Sequence, residues 1–145
     1  DTGEMEYVCA GHPFPLLRRA GGRTEELGVG GYPLGLRDPL PMSLGRATIE
    51  PGDQLLLYTD GLPEALDAQS RTAFGYERIQ AALQLGGTPQ QVHDNILASF
   101  DAHAGDEPLK DDLTLLVIGR GAGAGKNVEG AARATLDDVL LPASV

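Results

Sequence analysis

The stretch Pro51 to Ala65, Pro-Gly-Asp-Gln-Leu-Leu-Leu-Tyr-Thr-Asp-Gly-Leu-Pro-Glu-Ala, restricts the fold of this chain more than any other. Its apolar run, Leu55 to Tyr58, is too short for a free-standing helix and is bounded by turn residues, so Asp53 to Thr59 reads as a buried strand. The strand ends in Thr59-Asp60-Gly61. A carboxylate placed where a strand becomes a tight turn is exposed at the end of a sheet and presents both oxygens to a cation or to neighbouring amides. Asp60 is therefore the first candidate for a functional role.

A chain of 145 residues with 41% hydrophobic composition has the length of a single domain and enough apolar residues for one core. Its 11 basic and 21 acidic residues give a net charge of -10, which repels nucleic-acid phosphates and anionic lipid. No Lys/Arg cluster compensates, so no nucleic-acid partner is expected. No apolar run approaches the roughly 18 residues of a membrane span. The opening Asp-Thr-Gly-Glu is not a signal of the basic-then-apolar kind, so the expected location is cytoplasmic. The single cysteine, Cys9, excludes an internal disulfide, fits a reducing compartment and reads as a small apolar residue of a strand.

In order, the chain predicts a strand over Met5 to Ala10, broken by Gly11-His12-Pro13-Phe14-Pro15, then an extended segment from Leu16 to Arg19. Ala20-Gly21-Gly22-Arg23 reads as a hairpin turn into a strand over Thr24 to Leu27, and Gly28 to Gly35 as a loop. Pro41 to Glu50 reads as a strand with a bulge at Gly45, paired antiparallel to the Asp53–Thr59 strand through the Pro51-Gly52 turn. A short helix is expected over Leu62 to Asp67, with Pro63 in its first turn, and another over Tyr76 to Leu85, stopped by Gly86-Gly87. Thr88-Pro89-Gln90-Gln91 is a capping box, and Val92, Ile96 and Phe100 continue at helical spacing to about Ala102. His93 and His103 read as solvated or capping residues of that helix. Leu113 to Ile118 is a nearly continuous apolar strand. Residues 120–127 read as a flexible glycine-rich linker. In the tail 128–145, Val128, Ala131, Ala132, Leu136, Val139 and Leu140 recur at helical spacing, as either a short docking helix or a disordered tail.

Two places put carboxylates at strand ends: Asp60, and Asp111-Asp112 before the last apolar strand. If the two strands are antiparallel neighbours, these carboxylates emerge at one edge, and clustered hard oxygens suit Mg²⁺ or Mn²⁺. On spacing alone, solvated Asp-Gly turns and acidic loops explain them more simply than a site does. The pair Asp137-Asp138, within the tail, is assigned no role.

An ordered set of motifs adds to that spacing. Ala10-Gly11-His12-Pro13, Pro33-Leu34-Gly35-Leu36, Pro51-Gly52-Asp53, Leu57-Tyr58-Thr59-Asp60-Gly61-Leu62-Pro63-Glu64-Ala65, Phe74-Gly75 and Asp111-Asp112-Leu113-Thr114 follow one another as in the SpoIIE-like branch of the PP2C phosphatases, which residues 1–119 resemble. The resemblance implies an α+β fold, the PP2C-like αββα sandwich of antiparallel sheets flanked by helices. It implies a metal-dependent serine/threonine protein phosphatase of bacterial signalling, with two Mn²⁺ or Mg²⁺ ions and a metal-activated water as nucleophile, so that no side chain is itself catalytic. By motif position Asp60 and Asp111 match metal ligands, while Asp112 and Gly61 match supporting or additional ligand positions. The partner so implied is a phosphorylated protein, such as an anti-sigma-factor antagonist. His12 and its neighbouring prolines match a signature that is assigned no catalytic role here and reads as a structural turn.

Relatives of this kind carry further Gly-Asp metal motifs in an N-terminal half, and this chain begins after the place of those motifs. Residues 1–119 therefore resemble the C-terminal portion of a phosphatase domain. Two strand-end carboxylates hold metal weakly, so the isolated chain is expected to be weakly active or inactive. Exposed apolar edges and faces would invite self-association or pairing with the N-terminal half or a sensor domain. The competing reading is a non-catalytic pseudophosphatase or protein-binding fragment.

Overall fold

The fold follows from one period-two pattern. In the computed structural model, which describes residues 2–105 and 108–121 and the backbone of 131–134, successive side chains of the central strands enter two different cores. The elements are β1 (Glu4–Tyr7), β2 (Leu16–Arg18), β3 (Thr24–Glu26), β4 (Gly45–Thr48), β5 (Gln54–Tyr58), α1 (Gly75–Leu85), α2 (Pro89–Ala104), β6 (Thr114–Gly119) and β7 (Ala131–Ala134). A five-stranded antiparallel sheet has the order β3-β2-β5-β6-β7, and β1 and β4 form a separate pair. Leu16, Leu56, Tyr58, Leu115 and Val117 pack with Ile79, Leu83, Val92 and Ile96 of the helices. Leu17, Leu55 and Ile118 face the opposite way, against Met5, Tyr7 and Ala47 of the small sheet. Helices, large sheet and small sheet thus build three layers of the expected αββα order. The two-sided burial explains why β5 and β6 are apolar throughout.

The helices form where expected. The Thr88 hydroxyl accepts from the Gln91 amide at 3.2 Å, and the Gln91 side chain accepts from the Thr88 amide at 2.8 Å. With Pro89 in the first turn, this closes the capping box and starts α2 at the expected residue. His93 departs from expectation: its side chain is buried, with Nδ1 3.0 Å from the Asp94 carboxylate, because four-residue spacing from Pro89 to Leu97 turns it into the flank of the apolar stripe. His103 stays at the helix end and donates from Nε2 to the Thr72 carbonyl at 3.0 Å.

Several expectations are corrected. The strand at Pro41–Glu50 is shorter than its alternation suggests, beginning at Gly45 rather than bulging there. It pairs with β1, not with β5: Glu4 lies opposite Thr48 and Tyr7 opposite Gly45, while β5 is filled on both sides by β2 and β6. Pro51-Gly52 is a tight turn, closed by Asp53 N–H to Glu50 O at 2.9 Å, but it carries the chain between layers instead of making a hairpin. The short helix at Leu62–Asp67 is absent. Turns replace it, with Leu62 N–H on Thr59 O at 3.1 Å and Glu64 N–H on Asp60 O at 3.0 Å, and Leu66 bridges Ala73. Helical spacing is also not followed at Ala131–Ala134, which lie along the free edge of β6 with Ala134 opposite Thr114. An unpaired strand edge offers a row of donors and acceptors that helical periodicity does not reveal. The rest of the tail, including Asp137-Asp138, and 122–127 of the linker lie outside the described residues. Arg120 does not behave as linker: its N–H donates to Asp53 O and its guanidinium to Ile49 O at 2.6 Å.

The expected exposed apolar surface lies in a loop rather than on a sheet face. Val29, Tyr32, Leu34, Leu36, Met42 and Leu44, between β3 and β4, are all exposed. The outer face of the small sheet is polar, with Arg46 paired to Glu6 at 2.9 Å.

Where the layers meet, the buried Asp53 carboxylate accepts from the Ala20 amide and the Glu50 amide, each at 2.9 Å, and from the Arg19 guanidinium at 2.8 Å. Arg19 also donates to Thr48 O at 2.7 Å and pairs with Glu25. One carboxylate thereby joins the β2–β3 turn, the end of β4 and the start of β5. Burial pushes its pKa up, but the Glu50 amide, the Arg19 guanidinium and the Ala20 amide outweigh burial and hold it below the ordinary aspartate value. A folded-state pKa below the unfolded one stabilises above about pH 4, and this contribution is lost as pH falls through the folded value. We therefore expect Asp53→Ala to cost about 3 kcal/mol in urea denaturation at pH 7, because it strands the Arg19 charge and two amides. The difference between parent and variant should shrink in titrations carried below about pH 4.

Candidate functional site

β5 and β6 are antiparallel neighbours with Tyr58 opposite Leu115, so the residues after β5 and those before β6 leave the sheet at one edge. Asp60 comes from one side, Asp111 and Asp112 from the other, and all three are exposed. The geometric condition that the sequence left open is met.

Thr59 fastens that edge. Its N–H donates to Thr114 O at 3.1 Å, its hydroxyl donates to the Asp112 carbonyl at 2.7 Å, and the same hydroxyl accepts from the Thr114 N–H at 2.8 Å. The backbone that carries Asp111 and Asp112 is thus held to the residue that precedes Asp60. Gly61 completes the contact: a Cβ there would lie 2.5 Å from the Asp112 carbonyl oxygen and 3.3 Å from that of Asp111. Glycine is required because the two backbones touch. Leu62, fully buried, anchors the turn into the helix-side core. Sequence reasoning treated Thr59 only as part of a motif; its signal was a hydroxyl placed directly between the strand and the aspartate.

The carboxylates differ in their surroundings. Asp111 Oδ1 accepts from the Asp112 amide at 2.8 Å, which fixes one oxygen within its own loop. Asp60 has no side-chain hydrogen bond or ion pair among the described residues. Gly61 bears on the site through its backbone. His12 is exposed and donates from Nδ1 to the Pro13 carbonyl at 2.8 Å, the geometry of a local turn.

Exposed carboxylates on a fixed backbone match a hard divalent cation in kind, because such ions take oxygen ligands. They do not match it in number. Among the described residues no group of three or more His, Cys, Asp or Glu side chains is placed to hold a metal ion. Asp60 and Asp111 would be two ligands of a set that needs others.

Residues 1–121 match the family described as Stage II sporulation protein E (SpoIIE). Protein IcfG of Synechocystis sp. is 24% identical over 120 residues, a match that covers 82% of this chain and 19% of IcfG. Among solved structures, the phosphatase domain of the cell fate determinant SpoIIE from Bacillus subtilis, soaked in Mn, superposes with a TM-score of 0.62 at 14% identity. That match covers 85% of this chain and 53% of the other. The SiaA-PP2C domain of Pseudomonas aeruginosa gives 0.63 at 22% identity, covering 79% and 45%. The RsbU and RsbW domains of Rv1364c from Mycobacterium tuberculosis give 0.55 at 28% identity, covering 86% and 34%. The chain thus spans about half, or less, of the structures it resembles and about a fifth of the curated relative. Among the described residues no helix is long and apolar enough to cross a membrane. With the fold shared with these phosphatase domains, the match over residues 1–121 shows that the chain belongs to the SpoIIE family.

Proposed function

We propose that this chain forms part of a metal-dependent serine/threonine protein phosphatase of bacterial cytoplasmic signalling, acting on a phosphoprotein such as an anti-sigma-factor antagonist. The observation that carries the reading is the edge where Thr59 binds the Asp112 carbonyl and so holds Asp60 and Asp111 at adjacent strand ends. In this reading Asp60 and Asp111 are ligands to Mn²⁺ or Mg²⁺, Asp112 and Gly61 support them, and no side chain is the nucleophile. A divalent ion there supplies positive charge to the phosphoryl oxygens and activates water. The chain's own part is to fix two carboxylates so that little reorganisation is needed when the cation binds.

A second reading, a binding fragment without turnover, is favoured by the small number of converging carboxylates among the described residues. The two are separated by measuring Mn²⁺ affinity calorimetrically, together with Mn²⁺-dependent hydrolysis of an aryl phosphate, for the parent chain, Asp60→Asn and Asp111→Asn. Both variants should lose at least the roughly 10- to 100-fold in metal affinity that even outer partners of a metal site contribute. Whatever hydrolysis the parent shows should fall with it. Unchanged affinity and rate in both variants would remove these ligands from the assignment. Metal binding that depends on both aspartates, without hydrolysis by the parent, would favour the binding fragment.

Gly61→Ala tests the backbone contact on which the edge depends. The added methyl collides with the Asp112 carbonyl, so the variant should be destabilised by about 1–3 kcal/mol and bind Mn²⁺ more weakly although every carboxylate is retained. Parent-like stability and affinity, by thermal denaturation and calorimetry, would show that the contact relaxes freely.

A further inference from the structure

Beside this edge, between the turn after β5 and the segment leading into β6, lies a cavity of about 300 Å³. It shares Gly61 and Asp111 with the candidate site, so whatever fills it lies alongside a group bound there. The inner wall is apolar, from Ala65 and Leu66 of the turn, which leave Leu66 half-buried rather than sealed into the core. The rim carries Glu64 and Lys110, both exposed and of opposite charge. Glu64 and Ala65 belong to the motif that contains Asp60; the Glu64 amide donates to the Asp60 carbonyl, while its exposed side chain is turned to the rim.

This lining selects among ligand classes. A phosphoryl group needs several converging donors or cations, and the rim offers one lysine beside a glutamate, so the cavity is not itself a phosphate site. Its volume is at the lower end for small-molecule pockets, which is too small for a nucleotide or a large cofactor but sufficient for one amino-acid side chain. A peptide advances about 3.3 Å per residue when extended, so a side chain one or two positions from a residue at the edge reaches a cavity that begins at Gly61 and Asp111. The charge balance agrees. The segment that brings a phosphate dianion meets Lys110 at the rim next to Asp111.

We propose that this cavity is the subsite of the phosphoprotein substrate that receives an apolar side chain one or two residues from the phosphorylated serine or threonine, with Lys110 facing the charged part of that segment. The proposal rests on the phosphatase reading of the edge, and it adds a sequence preference that the edge alone does not provide. Burying a leucine-sized side chain against Ala65, Leu66 and Leu109 favours an apolar neighbour over an acidic one, which would lose solvation there and meet Glu64.

The test uses the intact chain in Mn²⁺ and labelled phosphoserine peptides of one scaffold, with Leu, Ala or Asp at the two positions on each side of the phosphoserine. Binding is read by fluorescence anisotropy, and hydrolysis of the same peptides and of an aryl phosphate is read in parallel. The Leu peptide should bind about tenfold more tightly than the Asp peptide. Ala65→Phe, which fills the cavity, should reduce that ratio to about twofold or less. Leu109→Asp, a change at an exposed loop position that spares the core, should do the same. Equal binding of Leu and Asp peptides, no binding of any peptide, or a ratio unchanged in both variants would overturn the subsite. A preference that disappears in the variants while the parent hydrolyses neither peptide nor aryl phosphate would retain the subsite and remove catalysis from the phosphatase reading. Hydrolysis without any preference would do the reverse.

Discussion

The antiparallel register of β5 on β6 is the constraint from which the rest follows. Pairing Tyr58 with Leu115 and Leu56 with Val117 sends those four side chains to the helix layer and leaves Leu55 and Ile118 to the small sheet. A slip of one residue would exchange the two sets, turning each strand's helix-side residues toward the small sheet. Burial on both faces makes that exchange costly, so the register is fixed by the core and not by the loop at its end. The same register decides which residues follow β5 and precede β6 at the edge. Thr59 and Gly61 then convert a position set by the core into a fixed backbone contact.

β5 has an aspartate near each end, and their surroundings divide the work. Asp53 is buried at the start of the strand, and amides and the Arg19 guanidinium use both of its oxygens. Burial and these three bonds commit it to the fold. Asp60 stands exposed past the other end, without a side-chain partner among the described residues. A carboxylate that is to bind an external cation cannot be consumed internally, and one that joins three chain segments cannot be left in water. The strand therefore separates a buried structural carboxylate from an exposed one by its own length.

Local chemistry was legible in the sequence, and layer assignment was not. The capping box at Thr88, the glycine stop at Gly86 and the apolar runs at β5 and β6 depend on residues within a few positions, and they form as read. The edge that joins Asp60 to Asp111 followed once the two strands were taken as neighbours. The link between Pro41–Glu50 and β5 failed because a tight turn at Pro51-Gly52 is the same locally whether it returns the chain to its own sheet or lifts it to the next. What separates the two outcomes is that β2 and β6 already occupy both edges of β5, a fact about distant segments. The turns at Leu62–Asp67 replace a helix for a related reason: Leu62 is drawn into the core beside Phe74, and the Leu66–Ala73 bridge holds an extended geometry that local propensity did not reveal. His93 was misread because polarity suggested solvent, whereas its place beside Val92 and Ile96 determined burial.

Electrostatics connects the edge to the proposed substrate. Asp60, Asp111 and Asp112 concentrate negative charge at one end of a chain whose net charge is already -10. A phosphoryl dianion is repelled by such an edge, so the carboxylates alone oppose the ligand they are proposed to serve. A divalent cation held between Asp60 and Asp111 reverses the local sign, as bound metal ions do wherever they are the largest charge in a site. Lys110 adds one positive charge on the approach but cannot offset three carboxylates. Metal and phosphoprotein binding are therefore expected to be coupled, and the proposed subsite beside Gly61 and Asp111 would act only after the edge has become attractive to phosphate. Selectivity for the neighbouring side chain and attraction for the phosphoryl group would then come from adjacent parts of one loop, with Leu109 and Lys110 on the cavity side and Asp111 on the edge.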